Sequence, residues 1–240
     1  MKKMIALCLM LAMLLSLPLG LVACTENPED YYSDEEIHRK VTLTWTNFAS
    51  TCQAMGLYMD PFASEYYRGL VEQDQDDNVS SFFIRCLQKV SFDAEITEEG
   101  KEYPEVYHGA YAYDIYTFSD GTGVLFFYHF CYGYEQSATY TPWQTEQINL
   151  SADEVSKLKN LLEEWDFKNI PTWNPEERSG HDGETTFIYV SGEGHDNLIS
   201  MWQSTEAYGI YHIREAIEEM VRSHVTVEQG RIYNESQFND

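Results

Sequence analysis

Ile37, Val41, Trp45, Phe48, Cys52 and Met55 recur at steps of four and three, the spacing that lines one face of an α-helix. Ser33 stands before them as an N-cap, and Asp34, Glu35 and Glu36 fill a first turn where carboxylates meet the positive helix end. Gly56 supplies the stop. Asp60 and Pro61 open a second, shorter helix with Phe62, Tyr66 and Leu70 on one face. After the polar run over 72–78, the spacing of Phe82, Phe83, Cys86, Leu87 and Val90 predicts a third helix. The same residues also read as a strand leading into SFDAEI.

From Tyr103 the period changes from helical to alternating. Tyr111, Tyr113, Ile115 and Thr117 share one strand face, and Val124, Phe126, Tyr128 and Phe130 share one face of the next, across a turn at Asp120 and Gly121. The second of these strands is apolar or aromatic on both faces, so it belongs in the middle of a sheet with helices over it. A strand TEQINL follows, then a helix opened by a Ser151/Glu154 capping box, with Val155, Leu158, Leu161, Leu162 and Trp165 as its apolar stripe. The order repeats: a strand over 185–191, the turn GEGHD, the strand NLISMWQ, and a helix over 211–223 burying Ile213, Ile217, Met220 and Val221.

This succession predicts an α+β fold. An antiparallel sheet carries packed helices, in two consecutive strand-strand-helix units preceded by a helical N-terminal region. The globular part is expected over 33–224, mostly helical over 33–90 and sheet plus helices over 91–224. The tail 225–240 reads as an edge strand followed by a disordered end.

Upstream, MKK precedes an apolar stretch over 4–17, and Pro18 and Gly20 interrupt it before Cys24. A bilayer-spanning helix needs roughly 20 apolar residues, so a charged n-region, an apolar h-region and a small-residue cleavage zone describe the segment better. Leu21, Val22, Ala23 and Cys24 resemble the lipobox of bacterial lipoproteins. That resemblance implies a signal peptide over 1–23, diacylglycerol on the Cys24 thiol, and extracytoplasmic attachment to the cell membrane. Residues 24–32 then act as an acidic tether. The second half also resembles domains of uncharacterised exported bacterial lipoproteins through Ser151, Glu154, Trp165, Phe167, Pro171, Asp182 and Gly183. It implies an architecture and no activity.

The formal charge is −25, and the leader takes Lys2 and Lys3 with it. So acidic a surface repels phosphate backbones and anionic headgroups, which excludes nucleic acid as a partner. The expected partners are the membrane, through lipid on Cys24, and an envelope protein or a small-molecule or glycan ligand. No cofactor is expected. Past Cys24, Cys52, Cys86 and Cys131 allow at most one internal disulfide.

Candidate chemistry is thin. Asp74, Asp76 and Asn78 alternate as calcium-loop ligands do, but Val79 replaces the turn glycine and Arg85 the bidentate glutamate. Gly180-His181-Asp182 and Gly194-His195-Asp196 repeat a tripeptide. His181, Asp182, His195 and Asp196 form a metal or base pair only if the loops converge, and otherwise are ordinary turn composition. His108 and His129 lie in or beside aromatic strands, where a hydrogen-bonded core histidine is the common outcome. Trp143, Trp173 and Trp202, near loops or strand ends, are candidates for stacking on sugars, against ordinary half-buried packing. The reading is a non-enzymatic binding or interaction module. A metal-dependent or hydrolytic enzyme using the two Gly-His-Asp turns and a carbohydrate-binding module are the alternatives.

Overall fold

The structure, a computed structural model, describes residues 32–73, 79–90, 109–132, 140–173, 184–202 and 209–227. The chain divides into two compact units, Met1–His38 and Arg39–Asp240. In the first, the described residues are the opening turns of α1 (Asp34–Ala54). Ser33 caps them as expected, its Oγ accepting from Glu36 N at 3.3 Å and its carbonyl from Ile37 N at 3.0 Å.

In the second unit α1 continues and buries Thr44, Phe48, Thr51 and Cys52. The hydroxyls of Thr44, Thr46 and Thr51 donate back to the carbonyls of Lys40, Thr42 and Asn47, which satisfies them inside the helix. Gly56 closes α1 at φ +68, with Leu57 N donating to Cys52 O. The expected second helix is split. Asp60 Oδ1 accepts from Phe62 N and starts only a 3-10 turn, Pro61–Ala63, and α2 (Glu65–Gln73) begins anew behind Ser64, whose Oγ accepts from Tyr67 N. Ser64 is extended, at φ −65 and ψ 149, and its cap sets the second start.

Residues 79–90 form β1 (Val79–Val90) and not a third helix, so the helical region ends at Gln73 among the described residues. The physical reason is that β1 is buried on both faces. Phe82, Ile84 and Cys86 point to one core and Phe83 and Leu87 to the other, and a doubly buried strand offers apolar residues at helical spacings too. The other strands are β2 (Gly109–Phe118), β3 (Gly123–Tyr132), β4 (Tyr140–Leu150), β5 (Glu184–Gly192) and β6 (His195–Trp202). They make one antiparallel sheet in the order β4-β3-β2-β1-β5-β6. With α3 (Ala152–Glu164) and α4 (Ile210–His224) this is the α+β architecture the sequence implies.

Each sheet face has its own core. Phe82, Ile84, Tyr113, Ile115, Leu125 and Phe127 pack under α3 and α4, which contribute Val155, Leu158, Leu162, Ile213, Ile217 and Met220. Phe83, Leu87, Tyr116, Phe126, Phe187 and Leu198 pack under α1 and the segment after it through Phe48, Cys52, Met55 and Phe62. Aromatic edges organise this second face: Trp45 meets Tyr189 at 5.8 Å and Phe83 meets Tyr116 at 4.8 Å between ring centres. At the β4 edge, Phe130 pairs with Pro142 and His129 with Gln144, so Trp143 is the extra residue of a bulge. Proline and a bulge blunt an edge against further strand pairing.

The capping box at α3 forms as expected: Ser151 N donates to Glu154 Oε2 at 2.8 Å, and Glu154 N donates to Ser151 Oγ at 3.4 Å. His224, at the last turn of α4, lies 2.8 Å from Glu154 Oε1 and ties the two helices together. Partial burial pushes the Glu154 carboxyl up, but the hydrogen bonds from Ser151 and His224 outweigh it and hold it below the ordinary 4.5. The contribution of this group to stability is therefore complete above pH 4.5 and is lost as the pH falls through the lower folded-state value. Urea midpoints measured between pH 6 and pH 3 should fall less steeply for Glu154→Gln than for the unsubstituted protein. Parallel curves would show that this carboxylate is not linked to folding.

Candidate functional site

The only described side chains of β1 that interrupt its apolar pattern in the middle are charged or amide, and each is met from another layer. Arg85 and Asp114 are cross-strand neighbours of β1 and β2 on the α1 side. Their side chains are 1% and 5% exposed and join as a fork, Nε to Oδ1 and Nη2 to Oδ2, both at 2.6 Å. Arg85 Nη1 reaches across to the loop after α1, donating to Tyr58 O at 2.5 Å and touching Cys52 Sγ at 3.5 Å. Burial alone lowers the pKa of the guanidinium, but the charge and hydrogen bonds of Asp114 reverse this and hold it above its ordinary value. Burial pushes the Cys52 thiol up despite the neighbouring Arg85, so this cysteine stays a protonated, unreactive thiol. Beside it Tyr116 Oη donates to Pro61 O and shares a 3.0 Å hydrogen bond with Ser64 Oγ.

The opposite face carries a row of polar residues across five strands. Cross-strand pairing places Gln144, His129, Tyr111, Gln88 and Thr186 in line. His129 stacks on Tyr111 at 4.6 Å. Gln144 Nε2 donates to Glu146 Oε1 at 3.0 Å and to Thr226 O at 3.1 Å. Gln88 Nε2 donates to Glu218 of α4, and Arg214 of α4 pairs with Glu184 of β5. Glu218 also lies 3.4 Å from Arg214 Nε and accepts from Arg222 Nη2 at 2.5 Å. The cluster has two carboxylates, but the opposing charges and the amide engage both. Its chemistry is that of a clamp holding α4 to the sheet. Cys86 lies beside it, fully buried, with its thiol pushed up by desolvation.

Of the described residues singled out from the sequence, His129 lies in the polar row and Cys52 and Cys86 border the two clusters, whereas His195, Asp196 and Trp173 join neither. His195 is the first residue of β6, not part of a turn. The β5–β6 connection is a two-residue turn, Glu193 and Gly194, with φ of +51 and +84, between the paired Gly192 and His195. His195 and Asp196 consequently point to opposite faces of the sheet, as successive strand residues must. His195 is buried, with Nε2 3.3 Å from Glu163 Oε1 and its ring edge on Phe82, and its Nδ1 has no hydrogen-bond partner among the described residues. Asp196 is exposed and accepts from Tyr189 Oη at 3.4 Å. Trp173 is half-buried, with Lys40 Nζ 5.7 Å from its ring centre.

Cys24, His181, Asp182, Asp74, Asp76, Asn78 and His108, and the side chains of Trp143, Trp202 and Cys131, lie outside the described residues. Cys52 and Cys86 are free thiols in cores on opposite faces of the sheet, which rules out a bridge between them. Among the described residues, no three His, Cys, Asp or Glu side chains group as metal ligands, and no helix is long and apolar enough to cross a membrane. Arg85, Asp114, Glu184 and Glu218 were not singled out for their roles here. The signal for the first two is a single charge inside an apolar strand, FFIRCL and YAYDIY, which asks for a buried counterion. No protein-family model matches this chain, and a search of characterised proteins finds no significant match.

Proposed function

We propose that this chain is an extracytoplasmic lipoprotein, anchored to the cell membrane by lipid on Cys24, and that its folded region is a non-enzymatic binding or protein-interaction module at the cell envelope. The observation that carries this reading is Leu21-Val22-Ala23-Cys24 following a basic start, an apolar run over 4–17 and the break at Pro18 and Gly20. A diacyl anchor adds about 0.8 kcal/mol per buried methylene on two chains at once, so attachment needs nothing from the acidic domain. Support for a binding role over catalysis comes from the polar clusters. Arg85–Asp114 and Arg214–Glu184 join layers of the protein to each other, which is scaffold work.

The test is fractionation of bacteria producing the full chain, with mass spectrometry of the N-terminal peptide. The protein should enter the membrane fraction with a lipid-modified residue 24, and Cys24→Ala should abolish both the modification and the attachment. A soluble, secreted form with an unmodified Cys24 would overturn the reading.

A further inference from the structure

We infer that the outer face of α1, with the loop that follows it, is a two-fold self-association surface covered by the same surface of a second copy of this chain. Residues 41–59 contain no Asp, Glu, Lys or Arg, in a protein whose formal charge is −25. A surface helix ordinarily turns charged residues outward. Over 41–54 the exposed positions on α1 are instead Thr42, Leu43, Thr46, Asn47, Ser50 and Gln53, and its exposed charged residues, Asp34, Glu35 and Arg39, lie in its opening turns. Among the described residues the exposed large apolar side chains are Leu43, Tyr58 and Met59, 48%, 47% and 47% exposed, and they stand at the two ends of this same uncharged stretch.

The loop that bears Tyr58 and Met59 is held from inside. Arg85, buried against Asp114, donates to the Tyr58 carbonyl, so both side chains are presented on a backbone already fixed. Anchors ordered before contact lose less entropy on binding, which is how exposed apolar groups become effective interface residues.

Charge identifies the occupant. A cationic partner is drawn to exposed carboxylates such as Glu163, Asp166, Glu193 and Asp196, not to a neutral helix. An acidic partner comes close only where neither surface is charged, and a second copy meets that condition with identical residues. Its remaining charges repel through solvent in which screening acts over about 8 Å. An antiparallel α1–α1 contact with its two-fold axis near Ser50 sets Leu43 of one copy against the Tyr58 and Met59 loop of the other, at both ends. Thr46, Asn47 and Ser50 between them are short enough for the helices to approach closely. The contact is independent of whether Cys24 carries lipid, and its test is read separately from the fractionation above.

The experiment uses the full chain purified in detergent, by sedimentation velocity and by oxidative cross-linking. A concentration-dependent dimer is expected. Ser50→Cys, next to the axis, should yield a disulfide-linked dimer, whereas Ser156→Cys on the exposed side of α3 should not. Asn47→Glu should shift the protein to monomer while its Tm stays within about 2 °C, as for an exposed substitution. A monomer at every concentration would overturn the inference. So would a dimer that cross-links equally through Ser156→Cys or survives Asn47→Glu.

Discussion

Asp114→Asn is expected to lower the free energy of unfolding by about 3–5 kcal/mol, the range for removing one member of a buried ion pair. Asp114 supplies both oxygens of the fork that neutralises Arg85. Asparagine is nearly isosteric, so packing is preserved and the loss isolates the charge. The remaining contacts of the guanidinium, Tyr58 O, Cys52 Sγ and the Phe83 ring, are neutral and do not replace a counterion. The double replacement Arg85→Met with Asp114→Leu should recover much of the loss, because it removes both desolvation costs together. Urea denaturation of Arg85→Met, Asp114→Leu and the double variant closes this cycle. If the double variant were as unstable as the sum of the singles, the pair would not be coupled and the account of the α1-side core would be wrong.

Gly209→Ala is the second large effect, expected at about 2–5 kcal/mol. Gly209 precedes α4 at φ +65, in the left-handed region where a Cβ costs about 1–2 kcal/mol. A Cβ there would also stand 1.9 Å from Trp165 Cδ2 and 2.3 Å from both Cε2 and Cγ, so an indole at the end of α3 must move, at about 1–3 kcal/mol for overpacking. The indole is not free to yield, since it stacks on His212 of α4 at 5.6 Å. In a Trp165→Ala background the steric part vanishes and only the conformational part remains. Chemical denaturation of the four proteins separates them, and an equal cost in both backgrounds would mean that the indole does not lie against Gly209.

Elements whose cause is local were legible from the residues alone. Ser151 and Glu154 find each other within one turn, Asp120 and Gly121 close a hairpin between adjacent strands, and Ile213, Ile217, Met220 and Val221 share a face by helical period alone. β1 was not, because Phe82, Phe83, Cys86 and Leu87 satisfy the helical spacing and the doubly buried strand equally. The choice was made by β2 and β5, which pair along both its edges, β5 from about 100 residues away. The same holds for the polar clusters. A lone Arg85 or Asp114 in an apolar strand announces a buried charge, but its counterion depends on register.

Separation also explains why the repeated Gly-His-Asp told little. His195 and Asp196 are neighbours in sequence, and a tight two-residue turn starts β6 early enough to send them to opposite faces. The acidity and the α+β succession of elements are properties of totals or of short stretches, which is why the amino-acid order suffices for them. The strand order with β1 at its centre, the partners of Arg85 and Glu218, and the meeting of Gly209 with Trp165 belong to the folded state. Each joins residues that only long-range pairing and packing bring together.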